Sequence, residues 1–372
     1  MTNMLPSLAA AGRSVVGVAA QLRGAVRGEG ELPAAGSAVL VVIDGLGAAA
    51  LRAHAGHARH LAGAMAKKDV ATTVFPTTTA AALTSILTGT PPGEHGLVGY
   101  RIRHPETGVV LNQLTDWEKA GLDPATWQRS PTVFEQAAGH PVFAVGLPQH
   151  AASGYTRAVL RGAEYIGARS ARECVTRAYD LAASNPGALV YCYLPDTDKA
   201  GHKRGAASAE WIAALEEIDT ALRAPVPAGV GVLVTSDHGM VDVPAHRQYV
   251  IDPGDSARAG VVAIAGEPRM LHVYLEEDAD ADAAAARWRG MLSGVADVAT
   301  ADEAVAAGLF GPRVHAAVRS RIGELLVIAR GNRAIYDGAD SDQSARQMIG
   351  QHGGLTPEER TVPYIRLGAF AR

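Results

Sequence analysis

Residues 38–47 read AVLVVIDGLG, and the fold class turns on this stretch. Its apolar residues follow one another without alternation, which suits a strand buried on both faces, as in a parallel sheet. Asp44 and Gly45-Leu46-Gly47 then close the run. The pattern recurs at 142–146 (VFAVG), 188–194 (ALVYCYL), 230–235 (VGVLVT) and 324–329 (ELLVIA). Between these runs the composition predicts helices over 47–67, 80–88, 169–183, 207–223, 281–293 and 301–307. Strands alternating with helices predict an α/β fold, a three-layer α/β/α sandwich around a mainly parallel sheet. Residues 1–372 read as a single domain, within which 254–345 form a smaller inserted α/β cap region. There 270–275 (MLHVYL) and 324–329 are expected to pair. The polar, turn-rich stretch 99–130 is expected to cross the mouth of a site.

Composition narrows the class of protein. The chain of 372 residues is 48% hydrophobic and 19% charged, enough apolar surface for a large core and incompatible with global disorder. With 34 Lys and Arg against 38 Asp and Glu, the net charge is −4. That balance offers no basic surplus for gripping nucleic acid through its phosphates, and no nucleic-acid partner is expected. Cys174 and Cys192 are too few for a disulfide framework. The start, MTNMLPSLAAAGRSVVGVAAQLRG, has no charge before Arg13 and no dense apolar segment, so it does not read as a signal peptide. No apolar run reaches the roughly 18 residues of a membrane span. A cytoplasmic protein with no membrane partner is expected.

In open parallel sheets, ligands bind beyond the carboxyl ends of the strands. Asp44 follows the first run; Asp196, Asp198 and His202 follow 188–194; Asp237 and His238 follow 230–235. His352 sits in a glycine-rich loop, Gly350-Gln351-His352-Gly353-Gly354. Singly, each has a plain structural reading. A strand-terminal Asp often caps the next helix, and a lone His is more often hydrogen-bonded than a ligand. Jointly, carboxylates and imidazoles at several strand ends are the donor set of a two-metal site. Asp198 and His202, four apart, share a face if their segment is helical. Thr77, Thr78 and Thr79 precede the helix-forming run from Ala80. Threonine there is first an N-cap, but a helix N-terminus also stabilises anions, and a hydroxyl at such a place can attack phosphorus. The residues alone do not choose among the three.

The ordered set IDGLG (43–47), FPTTT (75–79) running on to TGTPPGEHG (88–96), DTDKAGH (196–202), SDHGM (236–240) and HGG (352–354) resembles the alkaline phosphatase superfamily. The type I phosphodiesterase/nucleotide pyrophosphatase family is the nearest branch. The likeness covers about 38–355. It implies a metal-dependent hydrolase that cleaves phosphodiester or pyrophosphate bonds of nucleotide-type small molecules, using two zinc ions, with manganese tolerated by the same ligands. By the same resemblance Asp44, Asp237 and His238 hold one zinc, which also contacts Thr79, and Asp198, His202 and His352 hold the other. Thr79 becomes the nucleophile, forming a phosphothreonine intermediate that water hydrolyses. Asp198, rather than Asp196, has the family's spacing to His202.

The chain departs from the family at two places. Tyr100 stands where nucleotide pyrophosphatases carry an Asn that binds a phosphate oxygen, and Ala80-Ala81-Ala82 replace a segment bearing a base-stacking aromatic. Tyr100, Arg101 and Asn112 are therefore the candidate substrate contacts. Phosphonoacetate-type phosphonate hydrolysis or phosphomonoester hydrolysis on the same site are the alternatives; a catalytically silent, ligand-binding relative is the alternative from another class. Elsewhere, His54, His57 and His60 at spacing three read mainly as a solvated helix edge, with metal affinity as the lesser reading. Arg269, after a turn, reads equally as facing the leaving group or as surface. Gly45-Leu46-Gly47 lacks the third glycine of a dinucleotide loop, and Cys192 reads as packing.

Overall fold

The computed structural model describes residues 12–137 and 139–371, so the reading of residues 1–11 as no part of a leader lies outside the described residues. Seven strands form the central sheet in the order Val70–Thr72, Thr361–Gly368, Val230–Thr235, Ser37–Ile43, Leu189–Leu194, Val142–Gly146, Glu164–Gly167. Ser37–Ile43 pairs in parallel with both neighbours, Val39 lying opposite Val190 and Val232. Thr361–Gly368 runs antiparallel to both its neighbours, Val70–Thr72 and Val230–Thr235, while the other neighbouring strands pair in parallel.

The unbroken apolar run is explained by what covers it. Every residue of Ser37–Ile43 is buried, and successive side chains enter different cores. Ala38, Leu40 and Val42 pack with Leu22 and Leu87 of helices Val18–Val26 and Thr79–Thr88. Val39, Val41 and Ile43 pack on the other face with Val175 and Leu215 of helices Ala171–Ser184 and Ala209–Leu222. A strand with two apolar faces forces helices onto both sides of the sheet.

Helix Thr79–Thr88 is buried almost all round, which its small residues permit. Thr84 and Thr88 return their hydroxyls to the carbonyls of Ala80 and Thr84, so no polar atom is stranded. A second, antiparallel sheet orders Val261–Glu267, Met270–Leu275, Leu325–Ala329 and Ala296–Thr300, with Met270 opposite Ile328. Helix Ala281–Met291 covers it through the buried Trp288. No helix among the described residues is long and apolar enough to cross a membrane.

The expected helix over 47–67 is two short helices, Ala48–Ala53 and Arg59–Ala64. The chain leaves helical geometry at His54, whose Nδ1 bonds the carbonyl of Ala50, and Gly56 follows without a side chain to hold the next turn. The break scatters the three histidines that even spacing had aligned. His54 lies against Trp211, with ring centroids 5.1 Å apart, and His57 pairs with Glu216 at 2.8 Å. They form no metal-ligating group among the described residues.

Candidate active site

The carboxyl ends of three adjacent parallel strands bring Asp44, Asp237 and the helix Asp196–Arg204 together. Asp44 needs glycine after it: Gly45 has φ +72°, and a Cβ there would stand 3.0 Å from the Cα of Asp198. Gly239 in SDHGM is required likewise, since its Cβ would strike the carbonyl of Glu358 and the Cα of Gly47. The GLG turn is thus a close backbone contact, which accounts for its glycines without a dinucleotide.

Two groups of ligating atoms result, Asp44, Asp237 and His238 in one and Asp198, His238 and His352 in the other, with His238 common to both. In the first, His238 Nε2 lies 3.5 Å from Asp44 Oδ1 and 3.4 Å from Asp237 Oδ2. In the second, His352 Nε2 lies 3.8 Å from Asp198 Oδ1, and His202, outside both groups, adjoins it with Nε2 3.4 Å from Asp198 Oδ1 and 3.1 Å from His352 Nε2. The groups adjoin, for the His238 and His352 rings stack with centroids 3.6 Å apart. Helical spacing puts Asp198 and His202 on one face, with Nε2 of His202 3.4 Å from Asp198 Oδ1, whereas Asp196, at the start of the same helix, is in neither group.

Hydrogen bonds fix which ring nitrogens face inward. His202, His238 and His352 direct Nδ1 at the backbone carbonyls of Gly350, Gly239 and Thr77, at 2.8, 3.0 and 2.8 Å. A carbonyl only accepts, so Nδ1 carries the proton and Nε2 presents its lone pair. Asp44 Oδ1, Asp198 Oδ1 and Asp237 Oδ2, the oxygens opposite those nitrogens, are buried without a hydrogen-bond partner. Lone pairs facing unpartnered carboxylate oxygens repel one another unless cations lie between them. The protonation equilibria show the same strain. Burial, and then the neighbouring Asp237 and Asp198, push the Asp44 carboxyl well up. Burial also raises Asp198. His352 is pushed well down by burial and by the adjacent His238 and His202. The donor set therefore fits divalent metal ions of the Asp- and His-ligated kind.

The three threonines separate by partner. Thr77 Oγ1 donates to Gly354 O at 3.0 Å and accepts from Gly353 N at 2.9 Å. Thr78 is the N-cap, accepting from Ala81 N. Thr79 Oγ1 lies 3.2 Å from His238 Nε2, with no other hydrogen bond. Thr79, Asp198, His202 and His352 open onto a cleft of about 550 Å³.

Tyr100, Arg101 and Asn112 lie on this cleft, around the hairpin of Arg101–Arg103 and Val110–Asn112. Arg101 is bound to Asp340 at 2.8 Å, and Asn112 Oδ1 accepts from Leu114 N. Arg269 neither faces a leaving group nor reaches the surface. It is fully buried and paired with Glu359, because the tight turn after Glu267 points it inward at the loop that carries His352. Sequence reasoning missed three neighbours of the site. Tyr193 donates to Asp44 Oδ2, Tyr155 donates to the carbonyls of Thr79 and Ala80, and Glu267 accepts from Tyr100 N. None of the three carried a sequence signal, since 189–194 is an apolar run without alternation.

An Asp- and His-ligated centre at the strand ends of a parallel sheet, with a hydroxyl at a helix N-terminus beside it, belongs to the metal-dependent phosphoester hydrolases of the alkaline phosphatase superfamily. Within it, the family model of type I phosphodiesterase / nucleotide pyrophosphatase matches residues 38–355, and the chain belongs to that family. Among solved structures it is similar to the phosphonoacetate hydrolase from Sinorhizobium meliloti 1021 in complex with phosphonoformate, at 22% identity and a TM-score of 0.67, over 90% of this chain and 91% of that one. It is also similar to murine ectonucleotide pyrophosphatase / phosphodiesterase 5, an inactive variant in complex with AMP. There the identity is 18% and the TM-score 0.66, over 90% of this chain and 88% of that one. No curated protein sequence matches the chain significantly.

Proposed function

We propose that the protein hydrolyses phosphodiester or pyrophosphate bonds of nucleotide-type small molecules through a phosphothreonine intermediate on Thr79, at a centre of two zinc ions. The observation that carries this reading is the placement of Thr79: its hydroxyl alone of the three faces His238, while those of Thr77 and Thr78 are committed to loop and cap. Asp44, Asp237 and His238 are assigned to one ion and Asp198, His202 and His352 to the other. Bound there, zinc supplies Lewis-acid charge that lowers the pKa of a neighbouring hydroxyl and neutralises developing negative charge.

Thr79 Oγ1 loses its proton and attacks phosphorus. The Thr79 O–P bond forms while the bond to the leaving oxygen breaks, and that oxygen departs opposite Thr79 and takes up a proton. Water then attacks phosphorus as the Thr79 O–P bond breaks, one water proton passing to Thr79 Oγ1 and the phosphate monoester leaving. Ahead of Ala81, whose N–H Thr78 caps, the N–H groups of Thr79 and Ala80 at the start of helix Thr79–Thr88 have no intrahelical partner and offer donors to the phosphoryl oxygens. We read 254–345 as a cap over the cleft within one catalytic domain, and place the activity in the cytoplasm, in keeping with two free, buried cysteines.

The test is hydrolysis of bis-p-nitrophenyl phosphate, p-nitrophenyl phosphate and phosphonoacetate by the zinc-loaded protein. Preference for the diester is expected. Preference for the phosphonate, the ligand class of the S. meliloti structures, or for the monoester would overturn the diester assignment while keeping the Thr79 chemistry. Turnover of none of the three would overturn the whole reading.

A further inference from the structure

Away from the metal centre, one buried cation has no counter-ion. Arg321 is 4% accessible, and no carboxylate pairs with it among the described residues. Its Nη1 donates to the carbonyls of Gly96 and Trp127 at 2.8 and 2.9 Å, and its guanidinium carbon lies 3.6 Å from the centre of the Trp127 ring. Nε is enclosed without a hydrogen-bond partner, and Nη2 makes no hydrogen bond. Carbonyls and a ring face offset part of the cost of burying a charge, but neither supplies a full negative charge. The charge that acts on Arg321 is instead a second cation. Burial first, and then Arg129, push its guanidinium down to about 10.

Arg129 has no carboxylate partner among the described residues either. Its side chain meets His315, with Nη2 3.1 Å from Nε2 of that ring. His315 is already engaged at its other nitrogen, where Nδ1 accepts from Ala317 N at 3.2 Å and caps the helix Ala316–Arg319. A neutral imidazole has one donor nitrogen and one acceptor. Both nitrogens of His315 are approached by donors, so whichever holds the proton, two N–H groups confront each other. The acids on the neighbouring segments relieve none of this. Glu94 lies 3.7 Å from Arg313, Asp302 is bound to Arg319 at 2.9 Å, and Asp123 caps the helix Pro124–Trp127. Two guanidiniums and an imidazole therefore converge with hydrogens to give and no acceptor to receive them.

We propose that Arg129, Arg321 and His315 form a binding site for an oxyanion of the phosphate class, separate from the metal centre. The anion accepts from Arg129, from Arg321 Nη2 and from the Nε2–H of His315, which leaves Nδ1 free to keep its cap. It also supplies the negative charge that the buried guanidinium lacks. Guanidinium groups present their donors in a planar fork that matches two oxygens of a phosphate, and the bonds they make to an anion are charge-assisted. Two such groups favour a dianion over a monocarboxylate. The site does not depend on the reading of the metal centre.

Trp127 reports on occupancy. Trp117, Trp211 and Trp288 are fully buried, whereas Trp127 is half-buried and stacks on Arg321. The experiment titrates the zinc-loaded protein with inorganic phosphate, sodium chloride at matched ionic strength serving as the control, and follows tryptophan fluorescence. A saturable change is expected with phosphate and none with chloride, and acetate is expected to bind more weakly than phosphate. Arg129→Gln should weaken phosphate binding by about tenfold or more, the scale of one charge-assisted hydrogen bond. His315→Asn, which keeps a capping side chain, should weaken it by about three- to tenfold, the scale of a neutral donor. Both side chains are exposed, so neither change disturbs the core. Asp237→Ala, which breaks the proposed metal centre, should leave the phosphate response in place. No saturable response, or the same response to chloride, overturns the proposal. Tighter binding of acetate overturns the phosphate class. A response unchanged in Arg129→Gln and His315→Asn, or lost in Asp237→Ala, also overturns it, because the anion then binds at the metal centre or elsewhere. None of these results bears on whether the protein hydrolyses diesters.

Discussion

Thr77, Thr78 and Thr79 are chemically alike, and what distinguishes them is where each hydroxyl can go. Thr77 ties the start of the helix to the loop of Gly353 and Gly354, Thr78 satisfies an orphan N–H of the first turn, and Thr79 is left facing His238. Substitution should therefore separate structure from chemistry. Thr79→Ala is expected to reduce phosphodiester turnover by about a thousandfold or more, the scale on which removal of a covalent nucleophile acts, while zinc content measured by atomic spectroscopy stays that of the unaltered protein. Retained turnover in that variant would remove Thr79 from the mechanism. Thr78→Ala should do something else. Losing an N-cap costs about 1 kcal/mol, to be read as a lower midpoint in denaturant, because the helix that presents Thr79 begins there.

Elements position these residues through a few buried links that no spacing rule announces. The loop of His352 is fastened from both sides: Glu359 accepts from Gly354 N, and it pairs with Arg269, which arrives from the tight turn between two strands of the second sheet. Both side chains are fully buried, so removing one leaves an uncompensated charge. Glu359→Gln is expected to lower stability by about 3–5 kcal/mol and to weaken metal binding at the Asp198, His202 and His352 group; equilibrium dialysis against zinc showing unaltered affinity would refute the second part. The contrast with Arg269's ambiguous reading in the sequence shows where legibility ends. The doubly apolar strand at 38–43, the Asp198–His202 spacing and the ordered motifs lie in local sequence, and from them the parallel sheet and its covering helices could be read and a ligand set proposed. The partner of Arg269 is 90 residues away, the break at His54 depends on a side-chain-to-backbone bond, and the orphaned Oε1 of Glu267 exists only once the second sheet meets the Tyr100 segment. Such facts depend on tertiary contact, and alanine-rich helices gave little periodicity with which to anticipate them.

At the scale of the whole molecule, two groups of buried titratable residues respond to conditions in opposite ways. His95 and His272 join the layers in the neutral form. His272 Nε2 donates to Val98 O and its Nδ1 accepts from Gly323 N, and His95 Nδ1 accepts from Leu97 N. Burial pushes His95 down to about 3 and His272 down to about 4. In the unfolded chain an imidazole takes its proton near pH ~6.5. Because the folded value is the lower one, the unfolded state gains protons first as pH falls. The stability these residues contribute is therefore whole above about 6.5 and is lost as pH drops toward the folded values. Melting temperature should fall steadily from pH 7 to pH 4, and His272→Gln should flatten that slope; parallel curves would refute the role.

The metal group acts the other way. Asp44, Asp198, Asp237 and the three inward Nε2 atoms repel one another in the folded chain and are spread apart in the unfolded one, so without cations folding works against them. A metal that binds only the folded state adds stability of RT ln(1 + [L]/Kd), about 2.7 kcal/mol at one hundred times Kd. The proposed ligands follow the ends of two central strands, lie on the helix after a third, and lie in the C-terminal loop, so an ion held by them would clamp the sheet and that loop together. Chelation at pH 7.5 should therefore lower the melting temperature by several degrees, about 2–4 °C per kcal/mol for a chain of this order of size, and returning zinc should restore it. In Asp237→Ala, which removes one of the unpartnered carboxylates, the same chelation should shift the melting temperature much less. An equal shift in both proteins would mean that the stabilising ion sits elsewhere.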